Sequence, residues 1–98
     1  MRTRRPVHPG EALGEIVFPA VNVSRLRFAQ TLGISRQYLH KIMSGTAPIS
    51  ADIALRLERA IGGDAETWMN MQTAHDLWSR EQALLDQLES TERFESVG

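Results

Sequence analysis

Residues 25–42 read RLRFAQTLGISRQYLHKI, and Met43, Ser44 and Gly45 follow. The aliphatic stem of Arg25 with Phe28, Ala29 and Leu32 falls at i, i+3, i+4 and i+7, one face of a short helix. Ala29 is small where a second helix must approach closely. Gly33 follows four positions later, where the chain leaves a helix and needs positive φ without steric cost. Ser35 is placed to cap a second helix, and Leu39 and Ile42 supply an apolar pair at i, i+3 to pack it on the first. Two short helices joined by so tight a turn form a helix-turn-helix, the device that sets its second helix in the DNA major groove.

Working outward, residues 1–7 read as a flexible basic arm. Pro9 with Glu11 after it marks a helix start, since proline is preformed for the first position and a carboxylate suits the first turn. That helix carries Leu13, Ile16 and Val17 and is expected to stop before Pro19. Asn22 or Ser24 caps the second helix, and the third runs from about Ser35 to Ser44, with Gly45 as its stop. After a loop at residues 45–49, Ser50 caps a fourth helix, with Asp52 in its first turn and Ile53, Ala54, Leu57 and Ile61 facing inward. Gly62-Gly63 ends it. Asp64 caps a fifth, extended beyond Trp78, and residues 89–98 are expected to fray as a flexible tail. No strand alternation or repeat is present, so residues 8–88 are expected to form one all-α bundle of five helices.

Ninety-eight residues, 42% hydrophobic and 23% charged, suit one globular domain. Cysteine is absent, which excludes disulfides and Cys-based zinc sites and fits a reducing compartment; the cytoplasm is the expected location. Arg2, Arg4 and Arg5 are followed by no apolar run of a signal peptide, and no run approaches the roughly 20 residues a membrane span needs. The formal net charge of −1 conceals a segregation. Residues 1–60 carry nine basic and four acidic residues, and residues 61–98 carry two and eight. The basic part contains the helix-turn-helix, as expected of a domain with one face for phosphates and another for a different partner.

With Leu39 at the core pole of the third helix and about 100° per residue, Gln37, Lys41 and Ser44 fall near the opposite pole. Arg36 lies to one side in the first turn. A solvated face is the usual fate of such residues, but here the motif assigns them base edges. Arg36 matches guanine O6/N7, Gln37 matches adenine N6/N7, and Lys41 reaches guanine or a phosphate. Arg25, Ser35, Tyr38 and Thr46 are read as phosphate contacts, although the Tyr38 ring could instead pack on the helix flank. His8, His40 and His75 stand on three different helices without ligand spacing, so no metal or other cofactor is expected. His8 reads as a helix-start cap and His75 as a partly buried ring. No glycine-rich phosphate loop, GxSxG or HExxH occurs, and an enzyme is not expected.

His8-Pro-Gly-Glu11, the Ala29/Gly33 turn, Ser35-Arg36-Gln37, Pro48-Ile-Ser50 with Ala54-Leu55-Arg56-Leu57, and Trp68 to Gln72 followed by Asp76-Leu77-Trp78 together resemble one family. It is the HigA-type antitoxins (the VapI group) of the lambda-repressor-like Xre helix-turn-helix proteins, and the resemblance spans about residues 8–78. It implies a five-helix DNA-binding domain that binds an operator in its own promoter as a dimer. It also implies a toxin partner of the HigB type, a RelE-like ribosome-dependent mRNA endonuclease. The superfamily's base-reading positions fall on Arg36, Gln37 and Lys41, and a phosphate-contacting position on Arg25. Leu26 and Arg27 stand where the family has a polar and an acidic residue, Tyr38 where it has a small hydroxyl, and His75 where tyrosine is common.

A dimer is also physically sensible, because one short helix reads too few base pairs, whereas two copies would read half-sites about 34 Å apart. Trp68, Met71, His75 and Trp78 follow i, i+3, i+7 and i+10, a stripe that suits core first and interface second. Leu84, Leu85 and Leu88 lie beyond it in an acidic context and call for a partner or for folding back. Residues 64–98 are expected to help hold a basic toxin. Two alternatives stand beside the antitoxin: a free-standing Xre-family regulator without a toxin, and an interaction module that no longer reads DNA.

Overall fold

Pro9 opens the first helix at a position whose N–H has no partner within the helix, so its absence costs no helical bond. The computed structural model describes residues 2–95, and every regular element among them is helical. Helix α1 covers residues 9–21 in three pieces: an α-helical start Pro9–Ala12, a π-helical turn Leu13–Val17 and an α-helical end Phe18–Val21. Then come α2 (Arg25–Leu32), α3 (Arg36–Met43), α4 (Ala51–Ile61), α5 (Ala65–Ala83) and α6 (Leu85–Glu89). Among the described residues there are thus six helices rather than five, because the extended last helix breaks at Leu84 (φ −106°, ψ 12°). None of them is long and apolar enough to cross a membrane.

Pro19 does not end α1. Within an α-helix its ring would press on the carbonyl four residues back. Here the Phe18 N–H already bonds to the carbonyl of Leu13, five residues back, and Pro19 sits at the start of a fresh α segment. Asn22, with φ 59°, ends the helix. The wider π turn also changes the rotation of α1. Leu13 is buried as expected and Val17 packs on the core, but Ile16 is turned out to 72% exposure.

The remaining core follows the sequence pattern. Phe28, Ala29 and Leu32 of α2, Leu39 and Ile42 of α3, and Ile53, Ala54 and Leu57 of α4 close around Leu13. Ala47 and Ile49 from the α3–α4 loop and Ala65 of α5 complete the cluster. Ser24, Ser35 and Ser50 each accept the N–H three residues on, at 3.1, 3.0 and 3.3 Å. Helix α5 starts differently: Asp64 makes no side-chain cap, and Glu58 of α4 accepts the Ala65 N–H at 2.7 Å.

Helix α1 meets α3 at Gly10, where a Cβ would be built into the carbonyl of Ile42. His8 Nδ1 accepts the Gly10 N–H at 2.9 Å, the cap expected of it. Helix α5 braces this junction. Buried Gln72 accepts the Ile49 N–H and donates to Asp76, both at 2.8 Å, while the rings of half-buried His75 and His8 pack edge to face at 4.8 Å between centroids. The stripe Trp68, Met71, His75 and Trp78 is half-buried throughout; the buried residues of α5 are Ala65 and Gln72.

Residues 2–7, expected to hang free, are tied at two points, Arg5 to Glu11 of α1 at 2.7 Å and Arg2 to α5. Glu81 accepts the Arg2 backbone N–H and guanidinium at 2.7 and 2.8 Å, and Gln82 donates to the Arg2 carbonyl at 3.1 Å. At the other end residues 86–95 are exposed. Residues 96–98 of the expected tail lie outside the described residues. The molecule is 53 Å long with a radius of gyration of 16.5 Å, against about 13 Å for a compact chain of this length, because α5 and α6 stand out from the body.

Two outcomes follow. Gly10→Ala must separate α1 from α3 and is expected to cost about 1–3 kcal/mol in urea unfolding; an unchanged midpoint would show that the contact yields freely. The second concerns pH. Burial, and then His75, lowers the His8 pKa below its ordinary 6.5, while Glu11 and Asp76 oppose them in part. The fold therefore favours neutral His8, whose Nδ1 lone pair is the cap. Its contribution is present above pH 6.5 and is lost as pH falls below it. Thermal midpoints should drop from pH 7.5 to 5, and His8→Asn, which caps without titrating, should flatten that slope.

Candidate nucleic-acid interface

The two sides of α3 are set by its sequence. Leu39 and Ile42 are fully buried, Tyr38 and Met43 half-buried, and Arg36, Gln37, His40, Lys41 and Ser44 exposed. Tyr38 is half-buried and packs against the core, as the alternative reading of its ring allowed. Gly33, with φ 70°, turns the chain between α2 and α3, and the Ile34 N–H returns to the Ala29 carbonyl at 3.0 Å.

A groove forms between the first turn of α2 and the outer side of α3. Ser24, Arg25 and Leu26 make one wall, and Arg36, Gln37, His40 and Lys41 the other. The structure thus brings four of the expected site residues, Arg25, Arg36, Gln37 and Lys41, to one place. Arg25 is oriented by uncharged partners. Its guanidinium lies 5.3 Å from the Phe18 ring centroid, and Nη1 is 3.2 Å from the Met43 sulfur. Among the described residues Arg25, Arg36 and Lys41 form no ion pair, so their charges are available to a ligand. Ser35 uses its oxygen to accept the Tyr38 N–H and keeps its hydroxyl proton free to donate.

Thr46 is less free. Its N–H and its hydroxyl both bond to the Lys41 carbonyl, at 2.9 and 3.1 Å, and Ser44 Oγ lies 3.1 Å from the same hydroxyl. It closes the C-terminal end of α3, one helix length from Ser35. Leu26 and His40 were given no role at the groove by sequence. Leu26, half exposed, is an apolar group on a basic wall. His40 follows Arg36 by four residues, a spacing that places both on one flank of the helix.

The sequence profile of the helix-turn-helix family matches residues 20–68, which hold α2, α3 and α4. Virulence-associated protein I of Dichelobacter nodosus is 43% identical over 76 residues, 78% of this chain and 70% of that protein. Antitoxin HigA-1 of Vibrio cholerae is 32% identical over 75 residues, 76% and 70% of the two chains. The chain belongs to the HigA-type antitoxins of the Xre helix-turn-helix family. The solved structure of antitoxin GraA in complex with its operator matches this HigA-type fold with a TM-score of 0.84 at 34% identity, covering 98% of each chain. HigA-type proteins are DNA-binding antitoxins and regulators rather than enzymes.

Ser35 can be tested for its local role first. Ser35→Ala should destabilise the HigA-type fold by about 1 kcal/mol in urea unfolding, and Ser35→Asp should restore it, because Asp caps equally well. Equal losses in both would show that the hydroxyl does not act as the cap.

Proposed function

We propose that this HigA-type chain is the antitoxin of a type II toxin–antitoxin pair. It binds operator DNA upstream of its own gene as a homodimer, represses that operon, and neutralises a RelE-like mRNA endonuclease in the cytoplasm. The observation that carries the DNA half is the groove between α2 and α3, where Arg36, Gln37 and Lys41 stand exposed beside Arg25, without acidic partners among the described residues. Arg36 suits guanine and Gln37 adenine; Lys41 adds a contact to guanine or a phosphate. Arg25, Ser35, Tyr38 and Thr46 take phosphates and set the register of the helix in the groove. A similar protein, GraA, has been solved with its operator, and the Vibrio cholerae relative is named as an antitoxin.

Dimerisation gives the second half-site. The projecting α5 and α6 carry half-exposed Leu77 and Leu88, with Leu84 and Leu85 half-buried beside them, and this is apolar surface suited to another copy. The toxin half rests on charge. Residues 61–98 are strongly acidic, which favours a partner that is basic because it handles RNA.

Fluorescence anisotropy tests the DNA half, using duplex from upstream of the gene, a random duplex and two salt concentrations. Losing two bidentate contacts at about 1–3 kcal/mol each, Arg36→Ala/Gln37→Ala should weaken upstream binding by about 30-fold or more and random binding far less. Arg25→Ala should weaken both duplexes alike and lower the salt slope by about one. Equal binding of wild type to both duplexes would overturn sequence-specific repression.

A further inference from the structure

A second hollow lies where the end of α1 faces the turn between α4 and α5. Ile16, Val17 and Val21 line one side, and Ile61 and Trp68 the other. It shares no residue with the groove between α2 and α3. Ile16, at 72%, is the most exposed large hydrophobic among the described residues, and it is out because the π turn rotates it away from the core. The approach is open: a Cβ at Gly62 or Gly63 in the turn would meet nothing within 4 Å.

The rim is acidic. Asp64 lines the hollow, and carboxylate oxygens of Glu58 and Glu66 lie within 4.8 Å of its own and of one another. Glu15, exposed, precedes Ile16. No Lys or Arg is among the lining residues. An apolar floor with a carboxylate rim matches a segment that presents aliphatic or aromatic side chains flanked by Lys or Arg. A second copy of this chain does not match as well. Its free apolar end, residues 84–95, brings Asp86, Glu89, Glu92 and Glu95 against a single Arg93, and would set acid on acid.

We propose that this hollow is where the toxin docks, through a basic amphipathic segment whose apolar side chains cover Ile16, Ile61 and Trp68 and whose cations face Glu58, Asp64 and Glu66. The proposal rests on the toxin reading above and deepens it.

The test uses the full chain and the purified product of the neighbouring gene. Ile16→Asp and Asp64→Lys/Glu66→Lys change exposed positions, so thermal midpoints and anisotropy on the upstream duplex should match wild type. Each is expected to weaken toxin binding at least tenfold. Wild-type affinity should also fall with salt more steeply than that of the charge-reversed variant. Unchanged toxin affinity in both variants, with wild type binding, overturns the docking site while leaving the antitoxin reading intact. Loss of the dimer in sedimentation without loss of toxin affinity overturns it in favour of a second copy. A wild-type chain that does not bind the product at all overturns the toxin reading itself, and the docking site with it.

Discussion

The structure depends on one backbone-to-backbone contact, that of Gly10 with the carbonyl of Ile42. A side chain at residue 10 would force α1 off the end of α3, so the position of the exposed helix is fixed where α1 begins. His8 holds the Gly10 N–H from one side. The Lys41 carbonyl is held by the N–H groups of Thr46 and Ala47, so the loop after α3 folds tightly back on it. Gln72 then ties that loop to α5 through Ile49. A helix of only eight residues is marginal alone in water, and α3 is ordered because its own Ser35 caps one end and other elements hold the other.

The local part of this arrangement was legible in the sequence. Ser35, Ser50 and Gly33 act where their types and spacing put them, and Ser24 rather than Asn22 caps α2, with Asn22 taking the positive φ that ends α1. The inward faces of α2, α3 and α4 follow helical periodicity with few exceptions. What escaped was the contribution of distant partners. Nothing near Gln72 announces that its amide will meet a backbone N–H 23 residues away, or that Glu58 will cap α5 in place of Asp64. Ala47 and Ile49 lie in a loop without periodicity and are nonetheless buried. Pro19 misled because a proline stops an α-helix, and only a π turn before it lets the chain continue.

The groove was legible in composition and incomplete in detail. Helical phase brought Gln37 and Lys41 to the outer pole of α3, with Arg36 on its flank, without any knowledge of the fold. It did not show that Phe18 and Met43 would orient Arg25, because that contact depends on where α1 ends. The same π turn that carries the chain past Pro19 brings the aromatic ring under Arg25 and turns Ile16 to the outside. One local departure from α geometry therefore shapes both surfaces of the molecule.

Helix α5 divides its length among three tasks. Its first turn, at Asp64, Glu66 and Trp68, forms part of the acid-rimmed hollow. Its middle, at Gln72 and His75, braces the junction that positions α3. Its end projects from the body with the exposed leucines. Bracing needs rigid packing, whereas recognition surfaces need exposed side chains, and a helix satisfies both only if the demands fall on different turns. The stripe of Trp68, Met71, His75 and Trp78 is accordingly neither fully buried nor free.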